Sequence, residues 1–269
     1  MPEGHTLYRL ARDQQLTFAG RPVHVTSPQG RFDAGAALLD GRVLEEVFSY
    51  GKHLFADFGG ETLHVHLGLY GTFVGGVGSP PPAKGALRMR WVADGPDGAG
   101  VWSDLRGPTV CEVLTGPEVA AILARLGPDP LRPRADGAIA HRRIAGSRTA
   151  IGALLMDQSV LAGVGNVYRA ELLFRHRVSP FRPGRDVDAD LWGRMWADLR
   201  TLMRAGVRMG RIVTTRPEDR SSRRGLVQRD DAHYVYRRTG LPCRVCGTEV
   251  RTEVMVGRNL HWCPVCQAV

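Results

Sequence analysis

Cys243–Arg244–Val245–Cys246 and Cys263–Pro264–Val265–Cys266 stand sixteen residues apart near the end of the chain. Two C-x-x-C pairs at that spacing predict a four-thiolate metal site, with each pair on a tight turn and Gly247 to Trp262 forming one hairpin. Such a ribbon is too short to build its own core, so coordination of one structural Zn2+ by the four thiolates is what would fold it. Disulfides are the competing reading; the paired spacing and the lack of a visible secretory segment disfavour them. Between the pairs lies Gly257–Arg258–Asn259, a turn expected to hold an arginine at its tip.

The whole chain has 269 residues, enough for two domains plus this small module. Lys+Arg of 36 against Asp+Glu of 27 gives a net charge of +9, which points to a polyanion partner. Lys52 and Lys84 are the only lysines, so the abundance of arginine reflects base composition of a genome as much as phosphate recognition. No apolar run approaches the roughly 20 residues of a membrane span, and no signal peptide is visible. The expectation is a cytoplasmic protein (bacterial cytosol or nucleoid) with no membrane partner. Cys111, the fifth cysteine, is expected to be a buried structural thiol.

Leu7, Leu10, Ala11 and Leu16 recur at helical spacing and predict a helix over 2–18. From Val23 to about Thr115 short alternating segments follow: 43–50, 53–58, 62–67, 87–92 and 110–114. Gly59–Gly60 and Asp94–Gly95 read as hairpin turns between them, and 78–82 as an exposed loop. The expectation is an α+β protein whose N-terminal part is an antiparallel β-sandwich with flanking helices. A helix over 117–125 precedes Gly127–Pro128–Asp129–Pro130, which breaks regular structure. The expected organisation is a first domain over 1–126, a linker over 127–133, a helical domain over 134–239 and the zinc ribbon over 240–269. Helices are expected near 136–146, 149–157, 166–176 and 188–206. Arg216, Arg220, Arg223 and Arg224 fall in a polar stretch, 211–233, that reads either as a loop ordering on a ligand or as a merely solvated one.

Two further stretches carry chemistry. Gln158 to Tyr168 places a glycine turn before a fresh helix whose start carries Asn166. Unsatisfied N–H groups at a helix start suit a phosphate, although a plain helix–helix turn capped by Asn166 accounts for the same residues. With the arginine hairpin and the positive charge, two elements gripping one DNA backbone is the better account. At the other end, Met1–Pro2–Glu3–Gly4 leaves Pro2 as a secondary amine once Met1 is removed. An α-amino group titrates near about 8, so it is partly neutral at pH 7. Attack on a sugar aldehyde carbon would give an iminium ion, and Glu3 could shuttle the protons. Pro2 and Glu3 also suit an ordinary helix start.

Taken together, these pieces resemble the formamidopyrimidine-DNA glycosylase and endonuclease VIII family, closer to its endonuclease VIII branch. The resemblance rests on Pro2–Glu3–Gly4, Gly51–Lys52, Leu69–Tyr70–Gly71 after His66, Arg125 before Gly127–Pro128–Asp129, Ala162 to Asn166 in a helix–two-turn–helix, and the arginine-bearing zinc finger. It implies a helix–two-turn–helix domain and a bifunctional DNA glycosylase and AP lyase of base excision repair, a monomer acting on damaged DNA, whether double-stranded, bubble or single-stranded. Pro2 would be the Schiff-base nucleophile and Glu3 the general acid. Lys52 would contact phosphate and assist proton transfer. Asn166 and Arg258 would hold the phosphates flanking the flipped nucleotide, with Arg258 also serving elimination. Arg125 would contact DNA, and Leu69 and Tyr70 would enter the stack where the base leaves. His5, Thr6 and Gly68 depart from the family pattern, which many relatives fill with proline, glutamate and, in endonuclease VIII, glutamine. Oxidised pyrimidines are the favoured lesion. A purine-preferring glycosylase and a non-catalytic DNA-damage-binding protein are the alternatives.

Overall fold

The computed structural model describes residues 2–95, 98–222 and 225–268. The chain divides into two compact units, Met1–Arg125 and Leu126–Val269.

In the first unit Leu7, Ala11 and Phe18 form the buried side of α1 (Gly4–Phe18). This helix starts two residues later than its pattern predicts, because Glu3 is extended (φ −123°, ψ 179°) and caps it with its own carbonyl, which accepts from Thr6 N at 2.8 Å. After β1 (Arg21–Pro22) and β2 (His24–Thr26) comes α2 (Asp33–Leu39), which the sequence pattern does not announce. Gly35 is what admits it: a Cβ there would lie 2.2 Å from the Phe32 ring. The strands β3 (Val43–Leu44), β4 (Glu46–Tyr50), β5 (His53–Asp57), β6 (Glu61–His66), β7 (Thr72–Val77), β8 (Leu87–Asp94), β9 (Gly100–Arg106) and β10 (Val110–Thr115) lead into α3 (Gly116–Ala124).

Two antiparallel four-stranded sheets result, ordered β10-β6-β5-β4 and β2-β8-β9-β7. Alternation along the strands sends Leu54, Ala56, Leu63 and Val65 of one sheet, and Met89, Trp91 and Leu105 of the other, into a single core with α1. Trp91 anchors it, edge-on to Phe18 at 5.5 Å and to Phe58 at 5.9 Å. Each such side chain contributes about 1.5–3 kcal/mol by leaving water. The Gly59–Gly60 turn forms as expected, with both N–H groups donating to Asp57 Oδ1. The turn after Asp94 is wider than expected: Gly95 N donates to Ala99 O at 2.7 Å, and β9 begins only at Gly100.

Register fixes what matters for the site. Tyr50 pairs with His53, His53 with His66, and His66 with Val110. The Gly51–Lys52 turn and the loop after His66 therefore emerge at the same end of the first sheet.

The second unit holds α4 (Gly137–Ala145), α5 (Ile151–Leu154), α6 (Asn166–Arg175), α7 (Ala189–Met209) and the hairpin β11 (Arg251–Met255) with β12 (Arg258–Trp262). α5 is one turn long where a longer helix over 149–157 is expected. α7 is capped by Asp188, which accepts from Leu191 N at 2.7 Å, and stops at Gly210 in the left-handed region. Residues 127–131 are buried, and a Cβ on Gly127 would lie 2.4 Å from the Val160 main chain. Among the described residues no helix is long and apolar enough to cross a membrane.

Candidate functional site

The helix start at Gly4 leaves Pro2 and Glu3 on extended chain. Glu3 is fully buried, and its carboxylate does not cap α1. His5, in the first turn, is 4% exposed; burial pushes its imidazole down to about 4, so it is neutral at physiological pH. Its Nε2 lies 3.3 Å from Thr6 Oγ1. Met1 lies outside the described residues.

Lys52 sits on a two-residue turn between β4 and β5. Gly51 takes φ 58° in the first central position, as a type II′ hairpin requires. At the same sheet end, Gly71 N donates to Leu67 O at 2.9 Å and closes a loop that displays Leu69 and Tyr70, the latter 86% exposed. Gly68 has φ 66° there, and a Cβ would collide with Thr109 Oγ1. Arg125 ends α3 in an exposed position. Burial is the main force that lowers His53 and His64, and the Arg125 charge adds to it.

In the second unit the glycine turn before α6 is tied down by Gln158. Gln158 Oε1 accepts from Gly163 N, and its Nε2 donates to Val164 O, both at 3.0 Å. Gly165 occupies the cap position, so Asn166 is the first helical residue. Asn166 is 5% exposed, and its Nδ2 donates to Asn259 O at 2.9 Å. The buried Arg169 donates to Asn166 Oδ1 and, at 3.3 Å, to Met255 O. α6 thus holds the zinc hairpin through main-chain carbonyls on both of its strands. The hairpin's tip differs from expectation: Val256 (φ 53°) and Gly257 (φ 65°) form the turn, and Arg258, exposed, opens β12 beside it. One turn along α6 the buried Glu171 accepts from Tyr234 N, Val235 N and Tyr236 N, at 2.7, 2.9 and 2.8 Å. Within the polar stretch, Arg216 N donates to Tyr234 Oη, which donates to Asp219. Arg220 donates to Thr215 Oγ1 at 3.0 Å. Arg223 and Arg224 lie outside the described residues.

Cys243, Cys246, Cys263 and Cys266 bring their sulfurs within 4.8 Å of one another, with pairs at 3.9 and 3.5 Å, and none is in a disulfide. A tetrahedral ZnS4 centre with bonds of about 2.3 Å needs sulfurs about 3.8 Å apart. The four residues fit one structural zinc. Cys111 packs against the sandwich core, and burial pushes its thiol up to about 12.

Sequence reasoning passed over Arg169, Glu171 and the group His53, His64, Glu112. Charged residues inside Asn166–Arg175, where nine of ten positions are buried, are one signal that was present. Histidines at 53, 64 and 66 become neighbours only through strand register.

Comparison with known proteins covers nearly the whole chain. Residues 1–111 match the formamidopyrimidine-DNA glycosylase N-terminal domain, 126–218 the formamidopyrimidine-DNA glycosylase H2TH domain, and 240–269 the zinc finger found in FPG and IleRS. The chain is 54% identical over 272 residues to Endonuclease 8 1 of Mycobacterium tuberculosis, covering 99% of this chain and 100% of that one. It is 35% identical over 278 residues to formamidopyrimidine-DNA glycosylase of Thermus thermophilus, covering 99% and 97%. Among solved structures, a Lactococcus lactis Fpg bound to DNA containing N7-benzyl-Fapy-dG superposes with a TM-score of 0.79 at 20% identity over all of both chains.

Proposed function

The chain belongs to the formamidopyrimidine-DNA glycosylase and endonuclease VIII family, a DNA glycosylase and AP lyase of base excision repair that binds damaged DNA, and on that premise we propose that it prefers oxidised pyrimidines. It acts as a monomer in the bacterial cytosol. The Pro2 amine, freed by loss of Met1, attacks C1′ of the flipped nucleotide and displaces the base. The sugar ring then opens: the C1′–O4′ bond breaks, O4′ takes a proton from Glu3, and the C1′–nitrogen bond becomes an iminium that acidifies C2′, so that loss of a C2′ proton expels the 3′ phosphate. A second elimination releases the 5′ phosphate. Glu3 donates and recovers protons at the sugar. Lys52, Arg125, Asn166 and Arg258 take backbone phosphates; for Asn166 the donor is the amide hydrogen not directed at Asn259. Cys243, Cys246, Cys263 and Cys266 hold the zinc that folds the ribbon bearing Arg258.

The observation that carries this reading is Tyr70. An aromatic ring left 86% exposed beside Leu69, on a loop closed by its own main chain, suits a wedge into a base stack. The likeness to Endonuclease 8 1 supports the pyrimidine preference.

Borohydride trapping tests both nucleophile and lesion, on oligonucleotides carrying 5-hydroxyuracil, 8-oxoguanine or an abasic site. A covalent complex with 5-hydroxyuracil is expected, lost in Pro2→Gly and in protein retaining Met1. Trapping on 8-oxoguanine instead would reassign the lesion to purines. Binding without trapping on any of the three would overturn the covalent mechanism.

A further inference from the structure

The outward face of the first sheet carries a chain of hydrogen bonds that the reaction described above leaves unused. Glu112 on β10 lies 2.9 Å from His64 Nδ1, and His64 Nε2 lies 2.8 Å from His53 Nδ1. The rings are stacked, Phe55 to His64 at 5.0 Å and His64 to His53 at 5.1 Å, so neither imidazole can turn freely. His66 stands edge-on to His53 at 5.2 Å. His66 is committed elsewhere: its Nδ1 faces Gly68 N at 3.2 Å, where it accepts the main-chain hydrogen.

The order of donors follows from one end. A carboxylate only accepts, so His64 Nδ1 carries its hydrogen toward Glu112, and a neutral His64 then accepts at Nε2. His53 must therefore donate from Nδ1, which leaves its Nε2 with a lone pair and no hydrogen. Burial, the neighbouring histidines and the cations Arg125 and Lys52 push His53 down to about 3, and burial lowers His64 and His66 as well. His53 is thus a neutral acceptor throughout the physiological range. Phosphate oxygens offer it no hydrogen, whereas a guanidinium or ammonium does. Lys52 immediately precedes His53 on the turn, and Arg125 ends α3, the helix that follows β10 directly, so these are the cations whose charge acts on the ring.

We propose that Glu112, acting through His64, fixes His53 as a hydrogen-bond acceptor that orients the cations Lys52 and Arg125 toward DNA phosphate. His53 is a positioning residue, and the assignment rests on the reading of Lys52 and Arg125 as DNA-facing groups.

Two substitutions separate positioning from packing. In His53→Asn the side-chain amide can still donate to His64, but nothing stands where Nε2 was. In His53→Gln a carbonyl oxygen reaches the Nε2 position. Binding of the zinc-loaded, full-length protein to duplex DNA carrying a tetrahydrofuran abasic analogue would be measured across a salt series. His53→Asn is expected to weaken binding about tenfold and to flatten the slope of log affinity against log salt by about 0.9 for each phosphate no longer engaged. His53→Gln should recover most of both. Equal behaviour of the two variants, or wild-type binding by His53→Asn, would overturn the proposal. Should His53→Asn fail to fold, Glu112→Leu cuts the chain at its exposed end and is expected to flatten the slope in the same direction; an unchanged slope would again overturn it.

The doubly substituted Lys52→Ala, Arg125→Ala protein distinguishes failure of the proposal from failure of the reading beneath it. If it loses affinity and His53→Asn adds nothing further in that background, the proposal holds. If it binds DNA like wild type, the reading of the two cations fails and the proposal with it. The 15N signature of His53, protonated at Nδ1 and bare at Nε2, would then still show whether Glu112 sets the tautomer.

Discussion

Two hairpins in this molecule each present a cation at a two-residue turn, Lys52 within it and Arg258 just after it, and they are built by opposite means. The Lys52 hairpin belongs to a four-stranded sheet whose inner face is sandwich core, and glycine takes the one left-handed position its turn needs. The Arg258 hairpin is two isolated strands, with β11 exposed along most of its length. It puts valine, a β-branched residue, at φ 53°. What holds it is four thiolates at one end and the carbonyls of Met255 and Asn259 bound to Arg169 and Asn166 along its length. The first cation is placed by hydrophobic burial, the second by a metal and a buried guanidinium. Their tolerances should differ accordingly.

Zinc removal should break the comparison most sharply. Stripping the metal with a chelator, or Cys263→Ser, is expected to release Arg258 while leaving the sandwich folded. A charge-assisted contact is worth about 1.5–3 kcal/mol, so affinity for abasic-site duplex should fall by between about ten and a hundred times. The Trp91 core should melt as before. A sandwich that melts with the ribbon would show that the two hairpins share their support after all.

Acid should weaken both hairpins for different reasons. His53, His64 and His66 are neutral in the fold, with His53 pushed down to about 3, whereas an unfolded histidine titrates near about 6.5. Below about pH 6.5 the unfolded chain therefore binds more protons than the folded one, and stability falls as pH drops toward about 3. The ribbon fails instead because protonated thiols release zinc. Urea midpoints measured from pH 7.5 to 5 should decline in both units, with excess zinc restoring only the ribbon. A flat midpoint for the sandwich would contradict the buried-histidine account.

The smallest effect concerns the strained turn. The left-handed conformation costs a non-glycine residue about 1–2 kcal/mol, and glycine gives back about 0.4–1 kcal/mol through the freer unfolded chain. Val256→Gly should thus stabilise the ribbon by roughly half a kcal/mol, visible as a small rise in its melting temperature. A loss of stability would mean that the Val256 side chain, 62% exposed, is held by interactions worth more than the strain.

Much of this architecture was legible in the residues. The alternation from 43 to 67, the glycine turn before Asn166 and the paired cysteines each carry a local signal strong enough to survive without tertiary context. What was illegible depends on partners distant in sequence. β7 is an edge strand with five of six residues exposed, so it shows no in-and-out pattern. α2 exists because Gly35 makes room for Phe32. The Glu112–His64–His53 chain appears only once β10, β6 and β5 are placed in register. The position of Arg258 turned on which two residues form the turn, a choice that a valine before glycine hides.

Gly68 limits what this loop can accommodate. Its φ of 66° and the Thr109 hydroxyl in the space a Cβ would need are two separate barriers to any side chain. Any side chain at 68 asks for two adjustments at once, a displaced Thr109 hydroxyl and a backbone that bears or leaves the left-handed region. A substitution at 68 is therefore expected to be tolerated better once Thr109 has been made smaller.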